Sequence, residues 1–189
     1  MIRDKLIQAT PHICKLTTGY KFANLLRGTV HRQQKMLSPF ITQEMKVMDI
    51  GCGDGYFTLP VARLLTGEGC VYAVDVQQEM LDVITAKAIR KKLTKKIKTK
   101  LIDDVVFEMP EQLDFILAFF MLHEVPDIPV FLKTLHKLMA PEGRLFIAEP
   151  NHHVMAEFFN KEIEAAQLAG WKLEKQISIF MGKAALFKR

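Results

Sequence analysis

The stretch Val47-Met48-Asp49-Ile50-Gly51-Cys52-Gly53-Asp54-Gly55-Tyr56-Phe57 sets glycines at alternate positions behind a short apolar run, with Asp49 and Asp54 bracketing the loop. Missing β-carbons let a backbone come close to a ligand, and a helix following such a loop offers unpaired N–H groups. Binding of a nucleotide-type molecule at the end of a strand is the chemistry this pattern suits. Charge narrows the choice. A dinucleotide fingerprint reads Gly-x-Gly-x-x-Gly, and the position of its third glycine is Tyr56. A carboxylate about 4 Å from a phosphate costs on the order of 1–4 kcal/mol, so Asp49 and Asp54 disfavour a pyrophosphate. They favour a ligand that is cationic and phosphate-free, which S-adenosylmethionine (SAM) is.

Beyond Gly55 the next apolar run, Val71-Tyr72-Ala73-Val74, ends in Asp75. An acid at the end of a second strand accepts hydrogen bonds from ribose hydroxyls. After a third run stand Asp103 and Asp104, either of which supplies an acceptor for an adenine amino group; Asp104 is preferred. Val76, next to Asp75, and Phe119, at the end of the fourth run, complete the expected cofactor-facing set with Asp49, Gly51, Cys52, Gly53 and Gly55. Cys52 is read as a small packing residue of the loop.

His123 and Glu124 follow the fourth apolar run, so they emerge at the same edge of a sheet. A histidine there is a candidate general base near neutral pH, with loop ordering by hydrogen bonds as the plainer alternative. Glu149, His152 and His153 follow the fifth run and face the same region. Substrate contact suits them better than metal ligation, because adjacent histidines seldom converge on one ion; no metal is expected.

These residues need a frame that gathers strand ends. From Lys46 onward short apolar runs alternate with amphipathic segments, the pattern of repeated β-α units. Strands are expected at Val47–Ile50, Val71–Val74, Ile97–Ile102, Phe115–Phe120 and Leu145–Ala148. Helices are expected at Tyr56–Leu65, Glu79–Leu93, Pro129–Met139, ended by Pro141 and Gly143, and Val154–Ala169. Lys172–Phe180 and Ala184–Phe187 read as a terminal antiparallel hairpin. The class is α/β, a doubly wound, mostly parallel Rossmann-like sheet in a single domain, with residues 1–45 as a helical lead-in and 46–189 as the core.

Composition excludes several classes. The chain of 189 residues is 49% hydrophobic and 25% charged, as ordinary globular proteins are. The net charge of +5 is local: eight basic residues and no acidic ones lie between Lys87 and Lys100, and the remainder holds 18 basic against 21 acidic residues. Such a run is read as a solvated helix face before a nucleic-acid patch. Cys14, Cys52 and Cys70 form no Cys-x-x-Cys pair, the residues Met1 to Lys5 lack the apolar run expected of a signal peptide, and no apolar run reaches membrane length. A cytoplasmic protein with reduced thiols is expected.

The sequence resembles the class I SAM-dependent methyltransferases, in particular the small-molecule, methyltransferase type 11 branch related to ubiquinone and menaquinone biosynthesis. The resemblance runs from about Lys46 and is carried by Asp49 to Gly55, by Asp75, by Leu122-His123-Glu124-Val125 and by Met139-Ala140-Pro141-Glu142-Gly143-Arg144-Leu145. Glu142 departs from the glycine that many relatives have. The resemblance implies a seven-stranded sheet with its last strand antiparallel, SAM as cofactor, and in-line methyl transfer to a small molecule that enters beside residues 1–40. Asp49, Gly51, Gly53 and Gly55 would surround the methionine part, Asp75 the ribose and Asp104 the adenine edge, with His123 and Glu124 as catalytic candidates. The alternatives are an RNA methyltransferase using the Lys87–Lys100 run, a dinucleotide oxidoreductase, and a non-catalytic SAM-binding partner subunit.

Overall fold

A computed structural model describes residues 33–189. Lys46–Ile50 (β1), Cys70–Asp75 (β2), Ile97–Leu101 (β3), Leu113–Phe119 (β4), Met139–Pro150 (β5), Lys172–Ile179 (β6) and Gly182–Lys188 (β7) form one sheet in the order β3-β2-β1-β4-β5-β7-β6. The first five strands pair in parallel, and β7 runs antiparallel to both β5 and β6. Thus the expected doubly wound sheet with its terminal hairpin is present. The helices are Gln33–Leu37 (α1), Thr58–Leu64 (α2), Gln78–Arg90 (α3), Ile128–Leu138 (α4) and Ala156–Leu168 (α5), with a 3₁₀ turn at Leu122–Glu124.

Alternation along the buried strands divides the core into two layers. Met48, Ile50, Val74, Ile116, Leu145 and Ile147 pack on the side of α4 and α5. Val47, Val71, Ala73, Leu117 and Phe146 pack on the side of α1, α2 and α3. Leu37 of α1 is fully buried, and Phe40 stacks on Phe115 with ring centroids 6.4 Å apart. The expected lead-in therefore contributes to the core at its end, while residues 1–32 lie outside the described part.

Some boundaries differ from expectation. α2 begins at Thr58 instead of Tyr56, after Gly55 in the left-handed region at φ +86°. α3 stops at Arg90 instead of Leu93, because Lys92 is left-handed (φ +57°) and Leu93 N–H bonds back to Ala88 O at 2.9 Å. α4 gives way to β5 at Met139, before Pro141 and Gly143; Leu113 pairs with Met139 and Phe115 with Arg144, so Ala140–Gly143 bulge out of the ladder.

The basic run is not one helix face. It spans the end of α3, a turn and the edge strand β3. Lys96 Nζ donates to Gly67 O at 2.6 Å, Lys98 pairs with Glu111 at 3.5 Å, and Lys87 reaches Asp54. The lysines of β3 also guard an edge that would otherwise template pairing with another chain.

Candidate active site

From β1 the sheet extends to β2 and β3 on one side and to β4 and β5 on the other. Loops leaving β1 and β4 therefore diverge and open a crevice at the carboxyl edge, where ligands of such sheets bind. The glycine loop lies there. The Gly51 and Cys52 N–H groups both donate to Val74 O, at 2.9 and 3.2 Å, which curls the chain over the end of β2. Gly51 is left-handed (φ +67°), and a β-carbon on it would lie 2.8 Å from Cβ of Met121, just past β4. Only glycine satisfies both the backbone and the close approach.

Asp75 organises this loop. Its Oδ2 accepts from Gly53 N–H at 2.9 Å and its Oδ1 from Gln77 N–H at 3.0 Å, with the side chain buried. With the Cys52 thiol also directed at Oδ2, Oδ1 is the oxygen with room for a further donor. Cys52 Sγ lies 3.9 Å from the same Oδ2, and burial, reinforced by Asp49 and Asp75, pushes its thiol well above the usual range. A thiol held protonated packs and does not attack, in keeping with the packing role read for Cys52.

Asp49 is buried under the loop and accepts from Thr58 Oγ1 at 2.6 Å, tying the end of β1 to the start of α2. Burial raises its carboxyl to about 7, opposed by the Thr58 hydrogen bond and assisted by the charge of Asp75. Asp54 is neutralised by Lys87, whose Nζ lies 2.8 Å from Oδ2 and donates to the Asp54 carbonyl at 2.6 Å. The acidic character beneath the crevice thus comes from Asp49 and Asp75. Phe119 contributes to an aromatic wall, with ring centroids 4.3 Å from Phe57 and 4.2 Å from Phe120. Val76 is exposed directly after Asp75, and Ile102 N–H donates to Asp75 O at 3.1 Å, which brings the following Asp103 and Asp104 to the same edge. Both are exposed, and Asp104 Oδ1 accepts from Val105 N–H at 2.6 Å.

Across the crevice, Glu149 is fully buried at the end of β5 and holds His123 twice. Its Oε2 accepts from Nδ1 at 2.5 Å and its Oε1 from the His123 backbone N–H at 3.2 Å. This fixes the tautomer and leaves Nε2 as the basic atom, on a side chain that is 21% exposed. Burial alone would lower the His123 pKa, but the hydrogen bond and charge of Glu149, with Glu124 adding, push it above the ordinary value. Glu124 sits in the same 3₁₀ turn, its N–H bonded to Met121 O at 3.0 Å. His153 stacks beside His123 at 6.1 Å and His152 beside His153 at 4.3 Å. Among the described residues no cluster of three or more histidine, cysteine or carboxylate side chains is arranged to hold a metal.

Asp49, Gly51, Cys52, Gly53 and Asp75 thus form one knot, and His123, Glu124 and Glu149 a second. Lys87, Thr58 and Met121 were not foreseen, since none has a motif of its own. Glu162 was also missed, although a charged residue on the Phe159, Ile163, Ala166 stripe of α5 is a visible anomaly.

Comparisons with known proteins agree with this geometry. The family described as "Methyltransferase domain" matches residues 41–183. A ubiquinone biosynthesis O-methyltransferase of Bartonella tribocorum is 31% identical over 121 residues, 64% of this chain and 47% of that protein. A demethylmenaquinone methyltransferase of Lactobacillus johnsonii is 31% identical over 103 residues, 54% of this chain and 42% of that protein. The chain spans about half the length of the curated relatives it matches. A crystal structure of a SAM-dependent methyltransferase from Aquifex aeolicus superposes with a TM-score of 0.79 at 23% identity, covering 91% of this chain and 98% of that one. With strand order, glycine loop and strand-end acids in agreement, the chain belongs to the methyltransferase domain family.

Proposed function

We propose that this protein is a SAM-dependent methyltransferase whose acceptor is a small molecule with an ionisable O–H, S–H or acidic C–H. The observation that carries the reading is the His123–Glu149 pair, a histidine with a fixed tautomer and a raised proton affinity, set across the crevice from an acidic, glycine-lined loop. The residues present fit SAM. Asp49 and Asp75 disfavour phosphate and favour a cation, and the left-handed Gly51 and Gly53 keep the loop backbone close to whatever lies over it. Asp49, Gly51, Cys52, Gly53 and Gly55 would hold the methionine part, Asp75 and Val76 the ribose, and Asp104 with Phe119 the adenine side. When bound, SAM supplies a methyl group made electrophilic by its sulfonium.

The chain's own part is to position the acceptor and receive its proton. His123 Nε2 accepts that proton, and the imidazolium so formed is stabilised by Glu149, which is already bonded to Nδ1–H. Glu124 adds negative charge nearby. The rings of Phe57, Phe119 and Phe120 give the crevice an apolar side, which favours a step that disperses charge.

Two observations support a small molecule over RNA as acceptor. The quinone methyltransferases above are small-molecule enzymes by name, and Lys87, Lys96 and Lys98 of the basic run already have partners within the fold. The test is calorimetry with SAM, S-adenosylhomocysteine and NAD, followed by a screen of phenol, thiol and carbon-acid acceptors. Binding of the first two with no heat from NAD is expected, and His123→Asn should abolish turnover while leaving SAM affinity intact. Tight NAD binding without SAM binding would overturn the reading.

A further inference from the structure

Glu162 is a charged residue on the inner face of α5, among Phe159, Ile163 and Ala166, and only 1% exposed. Neither of its carboxyl oxygens has a hydrogen-bond partner among the described residues. Glu149 of β5 pairs in register with Lys183 of β7, and the Lys183 ammonium stands 5.9 Å from the ring of Phe159, one turn before Glu162 on α5; Glu149 acts on Glu162 with like charge and Lys183 with opposite charge. The Lys183 ammonium is engaged elsewhere, donating to Val154 O at 2.5 Å and lying 3.3 Å from Asn151 Oδ1. His123 and Glu124 of the 3₁₀ turn act on the Glu149 side of the pocket. His136 of α4 stands off against Trp171, with ring centroids 5.1 Å apart, and β6 leaves Lys172, Glu174 and Lys175 exposed.

Two buried carboxyls that feel one another do not both ionise readily. The proton goes to whichever is less well solvated by the protein. Glu149 accepts two N–H bonds from His123, whereas Glu162 accepts none. We propose that Glu162 is a proton-holding positioning residue for the His123–Glu149 pair: as a neutral acid it leaves Glu149 the single negative charge of the pocket, so that Glu149 keeps its hold on His123 Nδ1–H. The direction of the Glu162 shift, upward through burial and then the charge of Glu149, agrees. The consequence for turnover rests on the reading of His123 as a base, but the placement of the proton does not.

The experiment is a histidine NMR titration of the full chain, unsubstituted and as Glu162→Gln and Glu149→Gln. In the unsubstituted protein His123 should report its own titration and a second inflection in the alkaline range, where Glu162 loses its proton. Glu162→Gln should leave the first inflection in place and erase the second, while Glu149→Gln moves the first to lower pH. A Glu162→Gln variant in which the first inflection falls as far as in Glu149→Gln would overturn the proposal, because it would show that Glu162 was ionised at neutral pH. Infrared spectroscopy of the unsubstituted protein keeps the test independent of any variant's folding. A buried protonated-carboxyl band should persist at about pH 8, above the titration of Asp49 at about 7, and vanish at higher pH, and its absence at about pH 8 would be equally fatal. With an acceptor in hand, Glu149→Gln should cost about 100-fold in kcat. Loss of methyl transfer with the titration pattern intact would sink the catalytic reading alone.

Discussion

Lys87 of α3 and Asp54 of the glycine loop are joined twice, the ammonium 2.8 Å from the carboxylate and 2.6 Å from the carbonyl of the same residue. The first residue of the basic run is thereby a brace for the cofactor loop. Lys87→Met should weaken SAM binding by about 1 kcal/mol, the scale of a partly exposed charge-assisted contact. Calorimetry measures this, and an unchanged affinity would separate the brace from the site.

Asp75 shapes the loop and, in the proposed mode of SAM binding, also accepts from a ribose hydroxyl. Asp75→Ala removes both functions and should cost roughly 1–3 kcal/mol of SAM affinity for the ribose contact alone. Amide exchange at Gly53 and Gln77, whose N–H groups it accepts, should accelerate as well. Slow exchange with weakened binding would mean that only the ligand contact was lost.

Gly51→Ala places a β-carbon at φ +67° and against Met121. The left-handed backbone alone costs about 1–2 kcal/mol. Denaturation should show at least that loss, and Met121→Gly in the same chain, which removes the opposing Cβ as well as Cγ, should recover the steric part and leave the left-handed backbone part.

Asp49 ionises at about 7 in the folded protein, raised from 3.8 chiefly by burial. A raised carboxyl favours folding fully below its unfolded value, and the advantage fades as pH climbs from about 4 to 7. Asp49→Asn should flatten that decline in a pH series of melting temperatures. A cationic ligand favours the ionised form, so SAM binding should release a proton and tighten as pH rises from about 6 to 8. Calorimetry in buffers of different ionisation enthalpy reads the proton directly.

His123 must be neutral to accept a proton, so turnover should rise as pH passes through its elevated pKa. Glu149→Gln removes the hydrogen-bonded charge that raises it, so the acid limb should move to lower pH while the maximal rate falls. A limb that stays in place would assign it to another group.

Much of this was legible in the sequence because the signals are local. Apolar runs bounded by Gly51, Asp75 and His123 mark strand ends, and in a parallel sheet consecutive strand ends share one edge, so candidate site residues can be gathered from spacing alone. The doubly wound sheet, its terminal hairpin and the crowded glycine loop follow from that rule. The structure alone decided which carboxylates are free. Asp54 is matched by a lysine that lies 33 positions away, Glu149 closes on His123 across 26 positions, and the helix that carries Glu162 joins the core layer of Leu145 and Ile147 only through packing. Hydrogen-bond pairing and desolvation depend on distances between segments remote in sequence, and those distances are set by packing.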